Sequence, residues 1–177
     1  MLTKLIEKLN HERKNAIKNG IYHLTQIKFS YNSNRIEGSG LTYEQTAHDE
    51  VIGGFKKHPN FVGNSATTRP QLVESELTNL VKNYQRNLEV SLENIIDFHV
   101  AFQKIHPFSD GNGRVGQLVM FKECLKNNIM PFIIENEHKA FYYRGIKEYD
   151  NTKGYLKDTI LQSQDNFNEM VSYFFCE

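Results

Sequence analysis

The stretch His106-Pro107-Phe108-Ser109-Asp110-Gly111-Asn112-Gly113-Arg114-Val115-Gly116-Gln117 places a histidine, a carboxylate, two loop glycines and an arginine between two helical segments. Upstream, Leu92, Ile95, Ile96, Phe98, His99, Phe102 and Ile105 recur at helical spacing behind Ser91, a residue suited to cap a helix. Downstream, the spacing predicts a helix over about 114–127. A helix start preceded by glycine attracts anions, because its first backbone N–H groups and its dipole point at the ligand. Gly111 and Gly113 allow the close approach such a nest needs. Arg114 adds a guanidinium fork for phosphate oxygens, and Asn112 adds an amide donor. Asp110 is an oxygen ligand suited to Mg²⁺, which is commonly held by one or two carboxylates plus substrate phosphates. His106 is the only group of the stretch that titrates near neutrality, as a general base should. Together these residues are the parts of a phosphate-transfer site.

Other readings share these letters. Residues 111–116 match G-x-G-x-x-G, but the dinucleotide fingerprint follows a strand, and residues 92–105 read as a helix. An EF-hand register on Gly111 would put His106 and Gln117 where carboxylates belong. On chemistry alone, a plain glycine turn with a capping Asp and an exposed His stays open.

Outward from the stretch the pattern is mostly helical. Leu2, Leu5, Ile6, Leu9, Ala16 and Ile17 form a stripe that stops at Gly20, and Ile21, Leu24, Ile27, Tyr31 and Ile36 continue the spacing to residues 38–40. Thr42 and Gln45 make a capping box that opens a helix expected to reach about Lys57. Residues 59–70 lack helical period and hold a short β-prone pair, so a small hairpin or flap is expected there. Leu72, Val73, Leu77, Leu80, Val81 and Tyr84 give a further helix, residues 141–146 another segment, and Tyr155 to Phe174 the last one. The expected fold is an all-α bundle with one short β excursion, in one domain over residues 1–177.

Composition narrows the function classes. The 177 residues are 39% hydrophobic and 24% charged, as in ordinary folded domains. Lysine plus arginine number 21 and aspartate plus glutamate number 21, so no basic surplus supports nucleic-acid binding. No apolar run reaches bilayer length, and residues 1–8 carry charges where a signal peptide needs an apolar core. A cytoplasmic protein with no membrane partner is the expectation. Cys124 and Cys176 form no C-x-x-C pair, which excludes a cysteine-rich zinc site.

The stretch resembles the signature of Fic (Fido) domains, H-P-F-x-[DE]-G-N-G-R-x-x-R, at every position but the last. The flanks agree: Ile95, His99, Phe102 and Ile105 look like the preceding family helix, and Tyr142-Tyr143 sits where the family has a tyrosine pair flanking the nucleotide base. The resemblance spans about residues 30–160. It implies an all-α fold with a hairpin flap over the active site, and places that flap at Phe61, Val62 and Gly63. It also implies an adenylyltransferase that uses ATP and Mg²⁺ to move AMP onto a hydroxyl of a target protein. Carried over, His106 would take the hydroxyl proton and Asp110 would hold Mg²⁺. Gly111, Asn112 and Gly113 would cradle phosphates, and Arg114 would stabilise their charge. Aromatics at helical positions are more often core than ligand contacts, which weighs against Tyr142 and Tyr143. His99 reads as a core histidine or one that supports a site residue from behind, and Asp150 falls near a position that is often Asn in relatives.

Ser33-Asn34-Arg35-Ile36-Glu37-Gly38 fits the inhibitory motif [ST]-x-x-x-E-[GN] that some Fic proteins carry N-terminal to the core. A helix would put Ser33 and Glu37 on one face, and Gly38 suits its end. In relatives this Glu pairs with the last Arg of the signature and blocks the γ-phosphate. Here Gln117 replaces that Arg, and a neutral amide neutralises neither Glu37 nor a phosphate. The rival readings are the same fold with another nucleotide donor or removing AMP, and a non-catalytic nucleotide-binding module. Self-association is left open.

Overall fold

A computed structural model describes residues 2–25, 28–29, 54–62 and 65–175. The inhibitory motif at Ser33, Glu37 and Gly38, the Thr42 capping box, Gly63 of the flap and Cys176 lie outside these residues.

Six α-helices lie wholly within the described residues, α1 (Leu2–Lys14), α2 (Val73–Tyr84), α3 (Leu92–Ile105), α4 (Asn112–Lys126), α5 (Lys139–Lys147) and α6 (Gly154–Tyr173), and residues 21–25 and 28–29 are also helical. The β excursion is a hairpin, β1 (Phe61–Val62) against β2 (Ser65–Ala66), antiparallel with Phe61 opposite Ala66 and Val62 opposite Ser65. The fold is therefore helical with one small flap, as the periodicity requires, and α2, α3 and α4 pack in sequence order while α5 lies against α6.

Two apolar clusters hold the bundle. One joins Ile95, Ile96 and Val100 of α3 to Met120 and Cys124 of α4 and to Leu156 and Ile160 of α6. The other joins Leu5 of α1 and Ile21 to Phe121, Ile133, Phe167 and Val171. Cys124 is a core residue, and burial pushes its thiol up to about 12.

Ser91 begins α3 with a full capping box: its hydroxyl accepts the Asn94 N–H at 3.2 Å, while the Asn94 side chain accepts the Ser91 N–H at 2.9 Å. Two boundaries depart from the periodicity. First, α1 ends at Lys14, not at Gly20, because Ala16 and Asn19 take positive φ of 49° and 62°. Gly20 instead makes room for the buried Glu12 carboxylate: a Cβ there would lie 2.4 Å from Oε2, which accepts the Tyr22 N–H at 2.8 Å. Second, residues 54–57, the expected end of the helix opened by Thr42, are not helical. Lys56 there joins a hydrogen-bond network beneath the flap.

Candidate active site

His106 is the residue on which α3 stops. Its backbone turns left-handed, with φ 51° and ψ 61°, while its N–H still donates to the Phe102 carbonyl at 2.9 Å. For a residue with a Cβ this conformation costs about 1–2 kcal/mol, and it swings the imidazole off the helix toward the loop. Nδ1 faces the Gln103 carbonyl at 3.4 Å, which favours a proton on Nδ1 and leaves the Nε2 lone pair available. Burial holds the imidazole pKa below its ordinary 6.5, helped by the Lys56 charge and opposed by the Gln103 carbonyl and Asp110. A neutral base at neutral pH results.

The loop beyond is braced by Asn112, whose side chain is 1% exposed. Its Oδ1 accepts the Phe108 N–H and its Nδ2 donates to the Phe108 carbonyl, both at 2.8 Å. The amide assigned to phosphate by the sequence therefore shapes the loop in this structure. Gly111 precedes α4 with φ 79°, and its missing Cβ leaves space beside the Arg114 guanidinium. The N-terminus of α4 has no side-chain cap, which leaves its first turn, with the buried Gly113, open to an anion. Arg114 Nη2 meets Asp110 Oδ2 at 2.9 Å, one helical turn apart. The Asp110 side chain is 58% exposed, so this ion pair is worth little to stability and opens readily.

Gln117 faces inward at 5% exposure, and its Nε2 has no hydrogen-bond partner among the described residues. Tyr142 departs most from its expected role. It is 1% exposed and its hydroxyl meets His99 Nε2 at 2.6 Å, which makes it part of the core. Tyr143, beside it at 5.4 Å between ring centroids, keeps an accessible ring. Of the two readings of His99 the structure shows the buried one, and burial lowers its pKa to about 4. Asp150 pairs with Lys104 at 2.7 Å on the surface. Phe61 and Val62 of the flap are exposed.

One residue in this region escaped the sequence. Lys56 is 3% exposed and hydrogen-bonds both the flap base and the end of α3. A lysine at the expected end of a helix, next to Lys57, reads as a solvated charge, so only its place in the fold reveals it.

Residues 37–124 match the family model described as Fic/DOC family. The chain contains a Fic/DOC family domain. The matched segment runs from Glu37 to Cys124 and so includes the whole of 106–117. A probable protein adenylyltransferase of Aquifex aeolicus is 31% identical over 102 residues, covering 55% of this chain and 31% of the relative. A protein adenylyltransferase Fic of Culex quinquefasciatus is 42% identical over 99 residues, covering 54% and 20%. The chain thus spans a third or less of the length of these relatives. Among solved structures, a Fic domain containing signaling protein of Bacteroides thetaiotaomicron superposes with a TM-score of 0.64 at 18% identity, covering 92% of this chain and 93% of that one. Fic-1 of C. elegans gives 0.60 at 15% identity, covering 97% and 71%. These two likenesses establish the fold.

Proposed function

We propose that this Fic domain transfers AMP from ATP to a hydroxyl side chain of a target protein. The observation that carries the reading is the placement of a neutral, half-buried imidazole at the end of α3, one short loop from the uncapped N-terminus of α4. Relatives named protein adenylyltransferases support it. Nε2 of His106 accepts the proton as the target oxygen bonds to the α-phosphorus. The bond from that phosphorus to the oxygen bridging to the β-phosphate breaks, and pyrophosphate leaves. The first turn of α4 with Gly111 and Gly113 holds phosphate oxygens, and Arg114 offsets the charge that builds on them. Asn112 acts by fixing the loop, and Tyr143 is the tyrosine placed to flank the base.

Mg²⁺ fits as an ion completed by substrate. Among the described residues no three His, Cys, Asp or Glu side chains converge on a metal position, and Asp110 offers one exposed carboxylate beside the phosphate nest. When bound, the ion would supply charge neutralisation to the phosphates, with Asp110 its protein ligand. Asp110 would then exchange its contact with Arg114 for the metal, releasing the guanidinium to the nucleotide. Glu37 is the proposed inhibitory residue, acting against the γ-phosphate.

Incubation of the protein and its Glu37→Gly variant in lysate with α-labelled ATP, and separately GTP, CTP and UTP, tests the reading. Label on protein from ATP, absent with His106→Ala, is expected. No protein label from any nucleotide would overturn it, and label from another nucleotide would reassign the donor.

A further inference from the structure

Lys56 has no part in the chemistry above, yet its buried ammonium is enclosed by polar partners. Its Nζ donates to Asn60 Oδ1 at 2.7 Å, Thr67 Oγ1 at 2.6 Å and the Ile105 carbonyl at 3.2 Å. Three acceptors match the three N–H bonds of an ammonium. Its backbone N–H donates to the Pro107 carbonyl at 2.9 Å, and Asn60 Nδ2 donates to the Phe108 carbonyl at 3.1 Å. The carbonyls of residues 105, 107 and 108, on both sides of His106, are therefore all held by Lys56 or its partner Asn60. Thr67 closes the ring, its N–H and hydroxyl donating to the Asn60 carbonyl at 3.3 and 3.0 Å. Asn60 and Thr67 are the residues immediately flanking the hairpin of β1 and β2.

We infer that Lys56 is a positioning residue, a single buried cation that fixes the flap base and the His106 turn to each other so that neither moves alone. A buried ammonium without partners would be costly, so its burial is tolerable only while both sides of the ring are in place. Loss of either side weakens the other. The His106 backbone, held in a left-handed turn by its surroundings, depends on that ring for its conformation. The inference rests on the adenylyltransferase reading for its consequence, because a fixed flap and a fixed base matter only when a target hydroxyl must meet both. The coupling itself is a property of the free protein.

The charged groups facing His106 are Lys56 and Asp110, and Asp110 is paired with Arg114. Lys56 opposes protonation of the imidazole, so Lys56→Met should move the His106 titration midpoint upward, read from its ring protons by NMR. The same variant should speed hydrogen exchange of the Thr67 amide by about tenfold or more, the scale of a lost hydrogen bond to a charged group. Thr67→Val cuts only the flap side. It should speed exchange across the hairpin and, through the weakened ring, of the His106 amide, while the His106 midpoint, which reads the retained Lys56 charge, stays in place; an unchanged His106 amide would overturn the coupling. If Lys56→Met does not fold, Lys56→Arg serves: it keeps the charge, so the midpoint stays while Thr67 exchange rises. An unchanged Thr67 exchange rate in whichever Lys56 variant folds would overturn the inference, as would an unmoved midpoint in Lys56→Met. In transfer assays Lys56→Met should lower kcat and leave the KM for ATP nearly unchanged. Failure of the wild type to transfer label would sink the adenylyltransferase reading and leave the NMR and exchange results to decide the coupling.

Discussion

At the scale of single residues, chemistry concentrates on His106. On the proposed reading its imidazole acts on the target hydroxyl while its backbone shapes the loop, so His106→Ala should abolish transfer while leaving affinity for a non-hydrolysable ATP analogue within a few-fold. Calorimetry beside the transfer assay separates the two effects, and equal losses in both would make the residue structural. The base must be neutral to work, and burial holds its pKa below 6.5. The acid limb of kcat/KM against pH should therefore have its midpoint below 6.5. A midpoint above that value would mean that another group titrates.

At the scale of elements, helix crossings need glycine where side chains cannot fit. A Cβ on Gly145 would lie 2.7 Å from the Leu156 Cα, where α5 meets the backbone of α6. On Gly116 a Cβ would meet the Gln103 and His99 side chains at 2.7 and 2.8 Å, and the former group can swing away. Gly145→Ala should thus destabilise the fold by about 2–3 kcal/mol and Gly116→Ala by less, as measured by urea denaturation. The helices of this bundle were legible because apolar residues recur at a period of 3.6, and α2, α3, α4 and α6 lie close to where that period puts them. Early termination of α1 was not legible, since positive φ at Ala16 runs against its residue type, and Asn19, a type that tolerates it, comes only after the helix has ended. At the candidate site, side-chain chemistry singled out His106, Asp110 and Arg114, and the structure brings them to one loop and helix start. The inward turn of Asn112 and Tyr142 could not, because a string of letters does not say whether an amide or a ring faces ligand or core.

At the scale of the whole molecule, two predictions follow from burial and charge. Burial lowers the His99 pKa to about 4, whereas the unfolded chain titrates near 6.5. Between those values the unfolded state binds more protons, so stability is complete above about pH 6.5 and falls as the pH drops toward 4. The loss attributable to His99 is about 3 kcal/mol, and His99→Gln should flatten the dependence of denaturation midpoint on pH over that window. The second prediction links the N-terminal segment to α4. If Glu37 faces position 117, Gln117→Arg alone should pair with it and deepen inhibition by about tenfold, the scale of a charge-assisted contact. Combined with Glu37→Gly, the same arginine should reach the γ-phosphate and raise transfer above that of Glu37→Gly alone. A double-mutant cycle on initial rates at subsaturating ATP reads this change of sign, and additive effects would remove Glu37 from the site.

With His106 as the proposed base, its left-handed turn would also set selection on function against selection on stability at one codon. Glycine takes φ 51° without the penalty a Cβ incurs, so His106→Gly should be more stable than His106→Ala by about 1 kcal/mol in thermal melts, though both lack the base. A lineage still using the reaction must keep the strained histidine. Once the reaction is no longer needed, drift at that codon has a downhill direction, toward glycine or asparagine. On that reading use of the reaction, and not folding by itself, would hold histidine at 106.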